Sequence, residues 1–274
     1  MIGSMKPGSA VRSFTGSISG LILIVNIVAG PGLSAAQPKP EAVSDFNTYI
    51  AQVESRLDQQ HLSPKGFLVA EDAARLQAGE QIIARVPPPA GTDLPGAMLH
   101  HWRGTAFVPG ATAADFDRVM KSFEAYPTVY APQLVQTSIV SHEGDHFQVQ
   151  MRTRQKHVIT VVMDMTLDVR FGSLDEGHRH SLSRSTDIKE IESAGTSKER
   201  ALGPSENRGM LWNLNTYWSS EERDGGLYIQ IESVSLSRSI PPGLAWAIKP
   251  FVESVPKESL AFTLSATREA LSKK

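Results

Sequence analysis

From Leu134 to Arg238 the chain turns to runs in which apolar and polar side chains alternate with period two. A strand sends successive side chains to opposite faces, so this pattern commits the segment to a meandering antiparallel sheet with one wet face. Phe147, Val149 and Met151 alternate with Gln148, Gln150 and Arg152. Ile159, Val161, Met163, Met165, Leu167, Val169 and Phe171 make the longest apolar face, with Thr160, Asp164, Thr166, Asp168 and Arg170 mostly opposite. Trp212, Leu214, Thr216 and Trp218 repeat the pattern, as do Leu227, Ile229 and Ile231. Glu143-Gly144-Asp145, Gly172, Glu176-Gly177 and Asp224-Gly225-Gly226 separate the runs as turns.

What flanks the sheet sets the fold class. A strand over Met98–Val108 ends at Pro109-Gly110, and Thr112 with Asp115 forms a capping box for a helix. Phe116, Val119, Met120 and Phe123 are that helix's buried stripe, and Pro127 closes it. After the sheet, Pro241-Pro242-Gly243 break the last strand, and Pro256 sits where a first-turn proline belongs. Leu260, Leu264, Thr267 and Leu271 then line one helix face to the C-terminus. The order predicts an α+β protein: a curved antiparallel sheet wrapped around a long C-terminal helix, with room between them for a ligand. Residues 97–274 form this domain. Residues 37–96 form an extension packed on it, with a helix through Val43, Phe46, Ile50, Val53 and Leu57, an extended segment over Glu80–Val86, and a loop at Pro87-Pro88-Pro89.

The first 36 residues read differently. Lys6 and Arg12 precede an apolar stretch from Ile18 to Ala29, then Ser34-Ala35-Ala36, which is the layout of a signal peptide cleaved before Gln37. The stretch is short for a membrane span and carries Asn26; an uncleaved N-terminal anchor is the alternative. Cleavage would leave 25 basic and 29 acidic residues, a net charge near −4. That balance, with no basic cluster, gives no footprint for nucleic acid. The chain has no cysteine, which removes disulfides, thiolate nucleophiles and cysteine-ligated metal together.

Several stretches carry a family likeness. They are His100-His101-Trp102-Arg103-Gly104, Glu221-Glu222-Arg223-Asp224-Gly225-Gly226, Ser235-Leu236-Ser237-Arg238 with Ile240-Pro241, and Val255-Pro256-Lys257-Glu258-Ser259-Leu260 with Thr267-Arg268. In these, and in its element order, the chain resembles a bacterial branch of the START/SRPBCC superfamily over roughly residues 75–272. The resemblance implies a helix-grip fold around a hydrophobic cavity, in a superfamily of lipid carriers, quinone-binding proteins, polyketide cyclases and plant ligand binders. Fold alone then gives a ligand class and no chemistry.

Candidate site residues combine face assignments with the cavity that the resemblance implies. Val161, Met163 and Met165 line the cavity if the long apolar face is a cavity wall, and are plain core otherwise. Trp102 and Trp212 are either ligand contacts or packing residues. Arg184 shares parity with Leu182, Thr186 and Ile188, which points it inward, where Glu232 or Asp164 would partner it. An Arg184–Glu232 pair in the cavity would hold a polar head group; the alternative is a structural ion pair. His142-Glu143-Gly144-Asp145-His146 matches the H-E-x-x-H zinc pattern, but it lies between two strands with a glycine inside it and reads as a hairpin tip. His178 and His180 share a strand face and read as surface residues. No G-x-S-x-G motif or phosphate loop occurs, and neither catalytic residue, metal nor cofactor is expected. The function that follows is an exported binder or carrier of an apolar small molecule such as a lipid or quinone, with transient membrane contact among its partners. The alternatives are a cyclase or hydrolase using the same cavity, a zinc hydrolase at His142, and a module whose cavity its own side chains fill.

Overall fold

The computed structural model describes residues 36–273 except 70, 89–90, 92, 157–159 and 241–244, and for 245–253 the backbone only. The expected signal segment therefore lies outside the described residues, Ala36 apart. The elements in order are α1 (Pro40–Gln60), α2 (Ala73–Gln77), β1 (Ile82–Arg85), β2 (Asp93–Leu94), β3 (Ala97–Pro109), α3 (Ala113–Lys121), α4 (Tyr126–Val129), β4 (Leu134–Glu143), β5 (His146–Lys156), β6 (Thr160–Ser173), β7 (His178–Glu192), β8 (Arg200–Ala201), β9 (Asn213–Arg223), β10 (Gly226–Arg238) and α5 (Ala245–Ser272). The sheet is antiparallel, in the order β1-β3-β10-β9-β7-β6-β5-β4, with β2 beside β3 and β8 beside β7. This is the α+β arrangement that the periodicity predicts and the helix-grip fold that the resemblance implies, with α5 held against one face of the sheet.

Two faces result. The inner face packs Ala106, Val108, Ile229, Ile231 and Trp218 against α3 and against Leu260, Leu264 and Leu271 of α5. Gly104 is what lets α5 lie so close, since a Cβ there would stand 2.6 Å from Leu260 Cδ2. The outer face carries Leu99, Tyr217, Val234 and Leu236, covered by Ala42, Phe46, Ile50, Val53 and Leu57 of α1. The N-terminal extension is thus a lid over one face and, through β1, a strand of the same sheet.

Two boundaries differ from the sequence expectation. Thr112 and Asp115 do form the capping box, but α3 ends at Lys121 and Pro127 opens the short α4 that follows. Proline fits a first helical turn, where its missing N–H costs nothing, as readily as it follows a helix end. Helix α5 begins at Ala245, so Pro256 lies inside it. An interior proline removes one N–H from the ladder and the remaining bonds can carry the helix past it. Among the described residues, no helix is long and apolar enough to cross a membrane.

Candidate functional site

A cavity of about 210 Å³ opens on the inner face, away from the packed contact between Gly104 and Leu260. Strand β6 supplies one wall through Met163, Met165, Leu167, Val169 and Phe171. Register explains why these five share a wall: they alternate on one strand, and Met165, Leu167 and Val169 sit opposite Met151, Val149 and Phe147 of β5. Helix α5 closes another side with Ser259, Phe262 and Thr263, while Tyr126 of α4 and Tyr130 just after that helix contribute two phenols. Tyr130 is tied to α5, its hydroxyl 2.9 Å from Thr267 Oγ1, while Tyr126 donates to the Met120 carbonyl at 2.6 Å. Gln155 of β5 donates to Ser259 Oγ at 3.0 Å, a second tie between sheet and helix.

The walls are apolar, hydroxylic or, at Gln133 and Gln155, amide. Among the described residues the lining holds no carboxylate, imidazole, ammonium or guanidinium group. Burial pushes the Tyr130 phenol up to about 12 and raises Tyr126 well above the ordinary phenol range, so both stay neutral at physiological pH.

Of the residues singled out in the sequence, Met163 and Met165 lie on the cavity wall. Val161 has the same parity on β6, opposite Gln155, but sits beyond the cavity's described lining. Trp102 faces inward against the α5 cluster, with Lys257 Nζ 6.0 Å from its ring, and packs rather than lines. Trp212 precedes β9, packs with the outer-face cluster and donates through Nε1 to the Ala36 carbonyl at 3.2 Å.

Arg184 and Glu232 are the main corrections. Both lie on the outer face, and they do not pair. A β-bulge in β7 explains Arg184: Thr166 pairs Asp187 while Leu167 pairs Ser185, so Thr186 is the extra residue. A bulge flips every side chain on one side of it, which leaves Ile188 inside and puts Leu182 and Arg184 outside. Arg184 there binds Glu54 of α1 through two hydrogen bonds. Glu232 is 2% exposed, opposite Arg103 of β3 and Tyr217 of β9, and accepts from Arg56 of α1 (2.5 Å) and from His101 (2.8 Å). Burial opposes ionisation of Glu232, but the His101 hydrogen bond and the Arg56 charge outweigh it and hold its carboxyl below the usual range. The other acid considered, Asp164, takes two hydrogen bonds from Arg152.

The histidines also find places. His142 to His146 form the β4–β5 hairpin around Gly144, whose φ of +56° suits a turn and not a helix, and His146 Nε2 bonds Asp168. Among the described residues no cluster of three metal-ligating side chains occurs. His180 is not a bare surface residue: its ring stacks on His61 at 4.4 Å under the end of α1, and His61 Nε2 lies 2.8 Å from Ser219 Oγ. Sequence reasoning missed this pair, because His61 sits outside every periodic run.

A second recess of about 310 Å³ lies on the outer face of β4–β7 and is lined by Arg152, Asp164, Asp187, Lys189, Gln136 and Gln150 among others. Its ions neutralise one another, Arg152 with Asp164 and Lys189 with Asp187 at 3.0 Å, so it offers no unmatched charge among the described residues.

No family model matches the chain, and no curated protein matches it. Solved structures do. One is a STAR-related lipid transfer protein from Xanthomonas axonopodis, at 14% identity and a TM-score of 0.43, covering 69% of this chain and 98% of that one. Another is human STARD10, at 10% identity and a TM-score of 0.45, covering 89% and 83%. A third is the Zhui aromatase/cyclase from Streptomyces sp. R1128, at 13% identity and a TM-score of 0.45, covering 63% and 93%. The chain is thus similar to START-domain and aromatase/cyclase structures in the course of its backbone, at identities of 10–14%.

Proposed function

We propose that this protein is an exported binder or carrier of an apolar small molecule held between the sheet and α5. The observation that carries the reading is the cavity itself. Protein interiors are packed to the density of organic crystals, and a void of about 210 Å³ lined by methionine, leucine and aromatic side chains is out of keeping with plain core. Removing an apolar ligand from water into such a space is favourable in proportion to the area covered, about 25 cal/mol per Å². Methionine suits a wall that must adapt to its occupant, since its side chain is unbranched and flexible. The neutral tyrosines and the uncharged lining weigh against the cyclase or hydrolase alternative. Export rests on the N-terminal sequence, with Lys6 and Arg12 ahead of the apolar stretch and Ser34-Ala35-Ala36 after it.

The test is mass spectrometry of protein produced in a bacterial host and purified without detergent. A mature N-terminus near Gln37 and a stoichiometric organic molecule released on denaturation are expected. A full-length cytoplasmic product removes the export reading. If the protein carries nothing and also fails to take up an apolar probe such as naphthalene, the carrier reading falls.

A further inference from the structure

Besides Gln133, Thr153, Gln155, Ser259 and Thr263, the inner wall carries a row of hydroxyls on β7 and β9. Ser181 and Ser183 of β7 and Thr216 of β9 all line the cavity, and Ser183 stands directly opposite Thr216 in the antiparallel register. Ser181 pairs Trp218, one step along the same face. These are positions where a strand buried under a helix ordinarily carries apolar side chains, as β6 does alongside with Phe171 and Val169 facing the two serines. The next residue of the serine row shows what an employed hydroxyl looks like: Ser185 Oγ accepts from the Leu214 N–H at 2.9 Å. Among the described residues, no side-chain hydrogen bond satisfies Ser181, Ser183 or Thr216. Ser181 is buried at 5% exposure, and Ser183 and Thr216 are half-buried beside it.

Resting on the carrier reading, we infer that Ser181, Ser183 and Thr216 are the anchor for the polar end of the ligand, and that this end is an uncharged oxygen, a hydroxyl or a carbonyl. A hydroxyl both donates and accepts, so three side by side can meet either group. An ionised head is disfavoured, because a carboxylate or phosphate taken out of water needs a cation or a full set of donors, and the described lining offers no cation. Size narrows the class further. An apolar cavity of ~150 Å³ holds one benzene ring, and drug-sized ligands occupy ~300 Å³ or more. About 210 Å³ therefore suits a compact molecule of one or two rings rather than a two-chain lipid.

Three probes with a common ring system separate this inference from the reading beneath it: naphthalene, 2-naphthol and 2-naphthoate, titrated calorimetrically into the purified protein, freed of any bound molecule, at a pH where the carboxylate is ionised. Naphthalene reports only that an apolar cavity exists. The expected order is 2-naphthol tightest, naphthalene weaker, and 2-naphthoate at least tenfold weaker than the naphthol. In the double variant Ser183→Ala with Thr216→Val, naphthol affinity should drop roughly tenfold to the level of naphthalene, naphthalene binding should stay, and the thermal midpoint should hold. If naphthoate binds as tightly as naphthol, or the double variant leaves naphthol affinity unchanged while naphthalene binds, the anchor is wrong and the cavity stands. If none of the three binds to protein that also carries nothing on purification, the carrier reading fails and the anchor falls with it.

Discussion

The two faces of the same sheet solve opposite problems. On the outer face, α1 is held by two crossed ion pairs: Glu54 of the helix to Arg184 of the sheet, and Arg56 of the helix to Glu232 of the sheet. Around them the apolar contacts are filled, with Ala42, Phe46 and Leu99 at 0–2% exposure. On the inner face the β3 end is just as tightly filled, but the β6 end is hollow and uncharged. Charge lies under the helix that covers the outer face and is absent from the described lining of the inner cavity. A buried ion pair is poor at holding an exchangeable apolar guest, but it fixes the register of a helix that must not slide.

The largest effect should come from the charge-locked face. Glu232→Ala leaves His101 and Arg56 without their shared acceptor, and loss of one partner of a buried pair costs about 3–5 kcal/mol. Urea denaturation reads this directly; a loss below about 1 kcal/mol would show that packing alone holds α1.

Acid should act on the same face. Burial and then the neighbouring His180 lower His61 to about 4, from an ordinary 6.5, and burial lowers His180 as well. The unfolded chain therefore takes up these protons first. The stability they confer is whole above pH 6.5 and is lost as the pH falls from 6.5 through about 4, with about 2–3 kcal/mol at stake for His61. Denaturation midpoints across that window should fall in the wild type and fall less in His61→Asn. Parallel curves would mean that the stacked pair is not the acid-sensitive contact.

The filled end of the inner face gives a smaller effect. Gly104→Ala would set a Cβ 2.6 Å from Leu260 Cδ2 and 2.9 Å from Ile83 Cδ1, overpacking that costs about 1–3 kcal/mol. A thermal midpoint unchanged in this variant would mean that α5 is loosely seated along its whole length.

Most of the scaffold was legible because strand and helix leave different periods. The buried stripe of α1, the capping box at Thr112 and the five-residue wall of β6 all follow from local pattern. Which side of the sheet a residue faces was legible only up to the first irregularity. The bulge at Thr186 carries no signature in the sequence that would distinguish it from its neighbours, and it reversed the inferred direction of Arg184. Glu232 was misplaced for another reason: its partner Arg56 lies 176 residues away on a helix whose docking face is a tertiary fact. The hydroxyl patch was not legible, because the inward parity given to Leu182 and Arg184 put Ser181 and Ser183 on the polar face until the bulge reversed it. Their meeting with Thr216 needed the register of β9.

The central claim is that the β6 end of the inner face is space for a ligand, and Met163→Trp tests it at the smallest expected change in stability. Met163 is 5% exposed on the cavity wall, and an indole there is large enough to occupy the void. In a close-packed core such a substitution costs about 1–3 kcal/mol, which in a domain of this size lowers the melting temperature by about 2–12 °C. The account predicts that the ligand-free variant melts within about 2 °C of the wild type and no longer takes up naphthalene. A variant that melts well below that range, beside a wild type that binds no naphthalene, would show an interior that is simply packed.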